Sequence, residues 1–190
     1  MSDKFIIKNV LPFSEKSILT EGLFLLILRA DCAPPHLIMM INGTCFDLGF
    51  KGPSIRNDCD ALLAMIKSKS VKAIFISLKW PQSFSHEEIH KKMKELVFQY
   101  DGLNTSNKIL TCLAPIKEFC AWAYQINCID VNFIFDLLPI LYDQRIVGKA
   151  YYLNMQEMVI DNTIILNKYT RQDIDNRIRE LHLLEGNKNI

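Results

Sequence analysis

No stretch of this chain approaches the roughly 18 consecutive apolar residues that a membrane-spanning helix requires. Its apolar runs stop at six residues, as in Leu23–Leu28, which reads as a buried strand. An excess of one charge is missing too, with 22 basic side chains against 21 acidic ones. A protein that coats nucleic acid normally carries a basic excess or stripe, so nucleic acid is not an expected partner. The basic clusters Lys67–Lys72 and Lys91–Lys94 read as solvated helix flanks. Seven glycines and seven prolines in 190 residues are too few for a disordered or fibrous chain. The start, Met1-Ser2-Asp3-Lys4-Phe5, lacks the basic opening, apolar run and cleavage site of a secretory signal, so a cytoplasmic protein is expected. The six cysteines contain no CxxC pair, which leaves neither a disulfide framework nor a four-cysteine zinc site any supporting spacing.

What is present alternates irregularly between strands and helices. Phe5–Leu11 and Gly22–Arg29 are β-rich runs on either side of the polar stretch Ser14–Thr20. Between Pro34 and Phe50 the dipeptide Asn42-Gly43 separates two apolar runs, the strongest short-range hairpin signal, because both residues tolerate positive φ. Cys59–Ser68 has a helical apolar face, and Val71–Leu78 reads as a strand. Ser85 with Glu88 forms a capping box that opens a helix to about Tyr100, and Asp101–Lys108 is a polar loop. Cys112–Gln125 and Phe133–Tyr142 read as buried helices, with Pro139 predicting a kink or break in the second. Arg145–Leu166 suggests two strands. Thr170 with Asp173 caps a C-terminal amphipathic helix to about Leu184. The class is α+β, in one domain.

The hairpin supplies the first candidate site. A two-residue turn at Asn42-Gly43 sets Ile41 opposite Thr44, Ile38 opposite Asp47 and His36 opposite Gly49. Alternation then puts His36, Ile38, Met40, Cys45 and Asp47 on one face, with Asp47 the diagonal neighbour of His36. A charged Asp among apolar residues is costly without a partner, and a carboxylate beside an imidazole fixes its tautomer and stabilises the imidazolium. The second hint is Thr111-Cys112-Leu113-Ala114-Pro115. Proline is tolerated only in the first helical turn, so Pro115 places a helix start beside Cys112. The positive end of a helix favours thiolate there.

In this order, a histidine opening a strand, an acid on the next strand and a later cysteine at a helix start, the chain resembles the circularly permuted NlpC/P60 papain-like cysteine hydrolases. The matching residues are His36-Leu37-Ile38, Phe46-Asp47-Leu48, Lys51-Gly52 and, ahead of Cys112, Tyr100-Asp101-Gly102. The chain has Cys112-Leu113-Ala114-Pro115 where that group commonly has Cys-Ser-x-Leu-Val, and Asp47 where Glu is common. The resemblance covers about residues 23–124. It implies a papain-like core with an antiparallel sheet packed against helices. It also implies Cys112 as nucleophile, His36 as general base and then acid, Asp47 as orienter, and backbone N–H groups at the helix start as oxyanion hole. The implied substrates are peptide amides or acyl-lipid-like molecules, with no cofactor.

Each residue also has a plainer reading. His36 can be a structural histidine at a strand start, and Cys112 a small buried hydrophobe. Cys120 reads as core. Cys45 shares the His36 face but lies further along the strand. Phe133, Phe135, Trp122, Tyr124 and Met155 fall at packing positions. A rival site is His86-Glu87-Glu88-Ile89-His90, a literal HExxH that would make a zinc peptidase, with Glu118 the nearest third ligand. It starts at a frayed helix end and continues into Lys91-Lys92. A non-catalytic interaction module on the same fold, docking through its C-terminal helix, is the alternative from a different class.

Overall fold

A computed structural model describes residues 4–102 and 111–186. In chain order the elements are Lys4–Lys8 (β1), Val10–Pro12 (β2), Ser17–Thr20 (α1), Leu23–Leu28 (β3), His36–Ile41 (β4), Thr44–Gly49 (β5) and Gly52–Arg56 (β6). Then follow Asp60–Ser68 (α2), Ala73–Leu78 (β7), His86–Phe98 (α3), Leu113–Tyr124 (α4), Ile134–Asp143 (α5) and Val147–Leu153 (β8). Val159–Ile160 (β9), Thr163–Asn167 (β10) and Arg171–Gly186 (α6) complete the described chain.

β3 is apolar at every position because both of its faces are covered. It lies inside a seven-stranded sheet of order β2-β8-β7-β3-β4-β5-β6, antiparallel except for the parallel β2–β8 pair. Leu23, Leu25 and Ile27 with Met39 and Ile41 face a core built on Ile89 and Met93 of α3, Ile116 and Phe119 of α4, and Leu137 of α5. Phe24, Leu26 and Leu28 with Ile38 and Met40 face Leu62, Leu63 and Ile66 of α2. Each such side chain contributes roughly 1.5–3 kcal/mol by leaving water. A separate antiparallel sheet, β1-β10-β9, packs against the first core through Ile7, Ile164 and Leu166. Mixed α+β architecture is therefore established. Among the described residues no helix is long and apolar enough to cross a membrane.

Several local expectations are met and several are corrected. The Ser85–Glu88 and Thr170–Asp173 boxes both form, with Glu88 N–H donating to Ser85 Oγ at 3.2 Å and Asp173 N–H to Thr170 Oγ1 at 3.3 Å. The single strand expected over Phe5–Leu11 is split at Asn9, whose φ of 56° turns the chain from the small sheet into the large one. Arg145–Leu166 holds three strands rather than two, with a 3-10 turn at Gln156–Met158 between the first pair. β6 has no counterpart in the sequence reading because Pro53 interrupts it. A proline is tolerated there since β6 is the sheet's edge. Pro139 does not break α5: it sits on the exposed face while Leu137, Leu138 and Leu141 are buried and hold the helix through it. Of the expected Asp101–Lys108 loop, Asp101 and Gly102 form a turn and the rest lies outside the described residues.

The β4–β5 hairpin turns as its dipeptide requires, with φ of 47° at Asn42 and 80° at Gly43. Substituting Gly43→Ala forces a side chain into this left-handed region and is expected to cost about 1–2 kcal/mol. Chemical denaturation checks it: a midpoint at or above wild type would contradict the turn assignment, whereas Gly43→Asn should lose less.

Candidate active site

The hairpin register matches the one set by its turn: Ile41 pairs with Thr44, Met40 with Cys45, Met39 with Phe46 and Ile38 with Asp47. There the paired ladder stops. His36 has no partner on β5; it pairs on its other side with Leu28 of β3, and Gly49, expected opposite it, pairs instead with Gly52. Alternation from the Ile41–Thr44 pair would next bond Leu37 to Leu48. The Leu37 N–H instead donates to Cys112 Sγ at 3.4 Å. The two strands fork, and the thiol takes the hydrogen bond that the ladder gives up.

The imidazole bridges the same fork. His36 Nε2–H donates to Asp47 Oδ1 at 2.7 Å, closing the diagonal that the register leaves open. Asp47 is only 6% exposed, and Ile38, Met40 and Cys45 around it are buried. Its second oxygen accepts from Arg56 Nη2 at 3.2 Å, so the carboxylate is held at both ends. Burial alone would push His36 down, but the hydrogen bonds with Asp47 and with Cys112, and the negative charge of both, more than offset it. They raise His36 from an ordinary 6.5 to about 10. With Nε2 committed to Asp47, Nδ1 is the nitrogen left for the thiol.

Cys112 is the residue immediately before α4, and Pro115 is the third residue of that helix, as the first-turn rule requires. The Ala114 N–H is taken by the Thr111 carbonyl at 2.9 Å. Burial pushes the thiols of Cys45 (to about 12), Cys59, Cys120 and Cys128 up, which suits inert core cysteines. His36, Asp47 and Cys112 are thus brought together across 75 residues of chain between Leu37 and Cys112. His36 and Cys112 open on a cleft of about 680 Å³, a volume suited to a small ligand. Tyr100, Asp101 and Gly102 line it as well.

Two neighbours were not singled out from the sequence. Arg56 was missed with its strand; a hairpin at Gly49-Phe50-Lys51-Gly52 would have paired Ser54 with Asp47 and set Arg56 on the diagonal. Tyr169 lies between β10 and α6, packed edge-on against Phe133 and Phe135 at 5.5 and 5.3 Å. Burial, and then the nearby Cys112, push its hydroxyl up, so it stays neutral. It lines the cleft, as do the aromatic residues Phe50 and Tyr100.

The HExxH histidines are used otherwise. The His86 ring lies tilted against Trp80 with centroids 4.0 Å apart and accepts from Asn42 Nδ2 at 3.2 Å, while His90 meets Phe46 edge-on at 4.9 Å. Glu118 accepts from Gln99 and from the Tyr100 hydroxyl. The group with metal-binding spacing among the described residues is Asp58, Cys59 and Asp60, which includes none of these three, and Lys16 already pairs with Asp60. Comparison with protein-family models, with curated proteins and with solved structures gives no match.

Because His36 is protonated more readily in the fold than in the unfolded chain, its stabilisation is complete below about pH 6.5 and fades as pH rises through about 10. Asp47→Asn keeps the shape, removes the charge and is expected to cost roughly 2 kcal/mol at about pH 6. Denaturation at about pH 6 and about pH 10 checks this: the wild-type advantage should shrink at the higher pH, and an advantage that grows would contradict the charge assignment.

Proposed function

We propose that this chain is a thiol hydrolase or acyltransferase acting on an amide or ester, built on a papain-like core of permuted order. The observation that carries this reading is the fork: one thiol, one imidazole and one buried carboxylate meet at a strand end beside a cleft. The support comes from geometry and from the order of the three residues in the chain.

The chemistry follows from the arrangement. With the proton already held on His36, the Cys112 sulfur attacks the substrate carbonyl carbon, forming a C–S bond. The oxygen that becomes negative lies toward the start of α4, where the Cys112 and Leu113 N–H groups are the donors and the helix dipole adds to them. Collapse of the adduct breaks the C–N or C–O bond. His36 returns its proton to the departing amine or alcohol, leaving a thioester on Cys112. Water, deprotonated by His36, then releases the acid; an amine or alcohol in its place makes the reaction an acyl transfer. Asp47 keeps Nε2–H engaged throughout, which fixes the ring and stabilises its positive form. Substrates are a small peptide or an acyl compound, and every step uses side chains and backbone alone.

One observation favours the rival reading, a non-catalytic interaction module. Ile6 and Ile165 are cross-strand partners in the small sheet, and they are 52% and 44% exposed. Ile160, on the adjoining strand, is 67% exposed. Alkylation by iodoacetamide at neutral pH, read by peptide mass spectrometry, separates the two. The enzyme reading expects Cys112 to react first, His36→Ala to slow it roughly tenfold or more, and Cys112→Ala to abolish the fast phase. A Cys112 no faster than exposed Cys32 and indifferent to His36→Ala would leave the interaction module as the better account.

A further inference from the structure

β6 is the edge of the large sheet, and its last residue is a cation. In the β5–β6 register Ser54 pairs with Asp47 and Arg56 with Cys45, so Arg56 shares the face of Asp47 and reaches it on the diagonal. The carboxylate therefore has a cationic donor on each oxygen, His36 Nε2–H at 2.7 Å on Oδ1 and Arg56 Nη2 at 3.2 Å on Oδ2. The partners of this second contact differ in solvation. The Asp47 side chain is 8% exposed and that of Arg56 44%. The guanidinium keeps much of its own hydration while its tip meets a buried charge.

Counting charge shows what the second cation does. Asp47 and protonated His36 cancel, and a thiolate on Cys112 beside them adds one negative charge at the fork. Arg56 returns the set of four to neutrality. Other ionisable groups face the fork from the surrounding elements. Burial pushes up Cys45 on β5, Cys59 ahead of α2, and Tyr100 and Tyr169 in the cleft, so these four are uncharged at neutral pH. Asp58 precedes Cys59, and the cleft adds Arg29, Lys51, Arg177 and Asp101 with the exposed Cys32. Among the described residues, the cation in contact with the triad is Arg56.

We propose that Arg56 is a fourth member of this site, a positioning residue that acts through Asp47 to balance the charge of the Cys112 thiolate. The proposal rests on the catalytic reading, since a thiolate needs balancing only where the thiol is the nucleophile. Without the guanidinium the set is one charge more negative, and every proton in it is held more tightly.

The pH dependence of the full chain tests this in wild type, Arg56→Gln and Arg56→Lys. Nuclear magnetic resonance follows the His36 ring, and iodoacetamide alkylation follows Cys112. Glutamine keeps an amide donor without the charge, and lysine keeps the charge; both suit an exposed position on an edge strand. In Arg56→Gln the His36 titration should rise from about 10 by roughly half a pH unit. The acid limb of the alkylation profile should rise by about as much, leaving Cys112 roughly threefold slower there. Arg56→Lys should return both readouts toward wild type. A brace that only oriented the carboxylate would act in the opposite sense, because its loss would loosen the Asp47–His36 contact and lower the ring's titration. Where Cys112 alkylates faster than Cys32, failure of either readout to rise, or a lysine that behaves as glutamine does, overturns the proposal. A His36 titration that follows the charge at position 56, with Cys112 no faster than Cys32 in all three proteins, would overturn the catalytic reading while supporting the charge balance at Asp47.

Discussion

Asp47 shares its face of the hairpin with Ile38, Met40 and Cys45, and the rest of the site depends on how its charge is met. A charge buried at such a position is costly unless opposite charge reaches it. Two groups do so from opposite sides, His36 from the forked end of β4 and Arg56 from the edge strand β6. The first gains a proton-holding environment and the second fixes the carboxylate's direction. The imidazole then stands at the mouth of the fork, where the ladder has stopped and a backbone N–H is open to a foreign acceptor. That acceptor is the Cys112 sulfur. Burial, register and chemistry are one arrangement here: the same fork that interrupts sheet pairing makes room for the thiol.

The scaffold explains why the arrangement is rigid. β4 is paired along its length with β3, which is buried on both faces between two helical layers. α4 packs on one of those layers through Ile116 and Phe119, so its first turn is fixed relative to β4. Side chains on such elements hold their geometry better than side chains on loops. The cleft's outer wall comes from the turn after β3 and from α6, outside the two helical layers that cover the sheet.

How much of this could be read in the sequence follows the range of the interactions involved. Asn42-Gly43 determines a two-residue turn, the turn determines register, and register puts Asp47 within reach of His36; every step is local. Pro115 likewise locates a helix start beside Cys112. The meeting of Leu37 and Cys112 spans 75 residues and is a tertiary fact that no spacing encodes. Arg56 was lost for a simpler reason, since Pro53 hid its strand and edge strands obey looser rules. Tyr169 belongs to no motif, and the fold alone brings it to the cleft that Cys112 lines. His86 and His90 carry the letters of a metal motif, and the fold sets their rings against Trp80 and Phe46, with Asn42 on His86.

Asp47, His36 and Cys112 interact as charges, and the imidazole itself reports it most directly. Nuclear magnetic resonance of the ring nitrogens, followed against pH in wild type and in Cys112→Ala, reads the protonation of His36 without any substrate. The arrangement predicts a ring that stays protonated through neutral pH and titrates near 10, moving downward when the thiol is removed. A ring that titrates near its ordinary 6.5 in both proteins would contradict the charge-sharing triad.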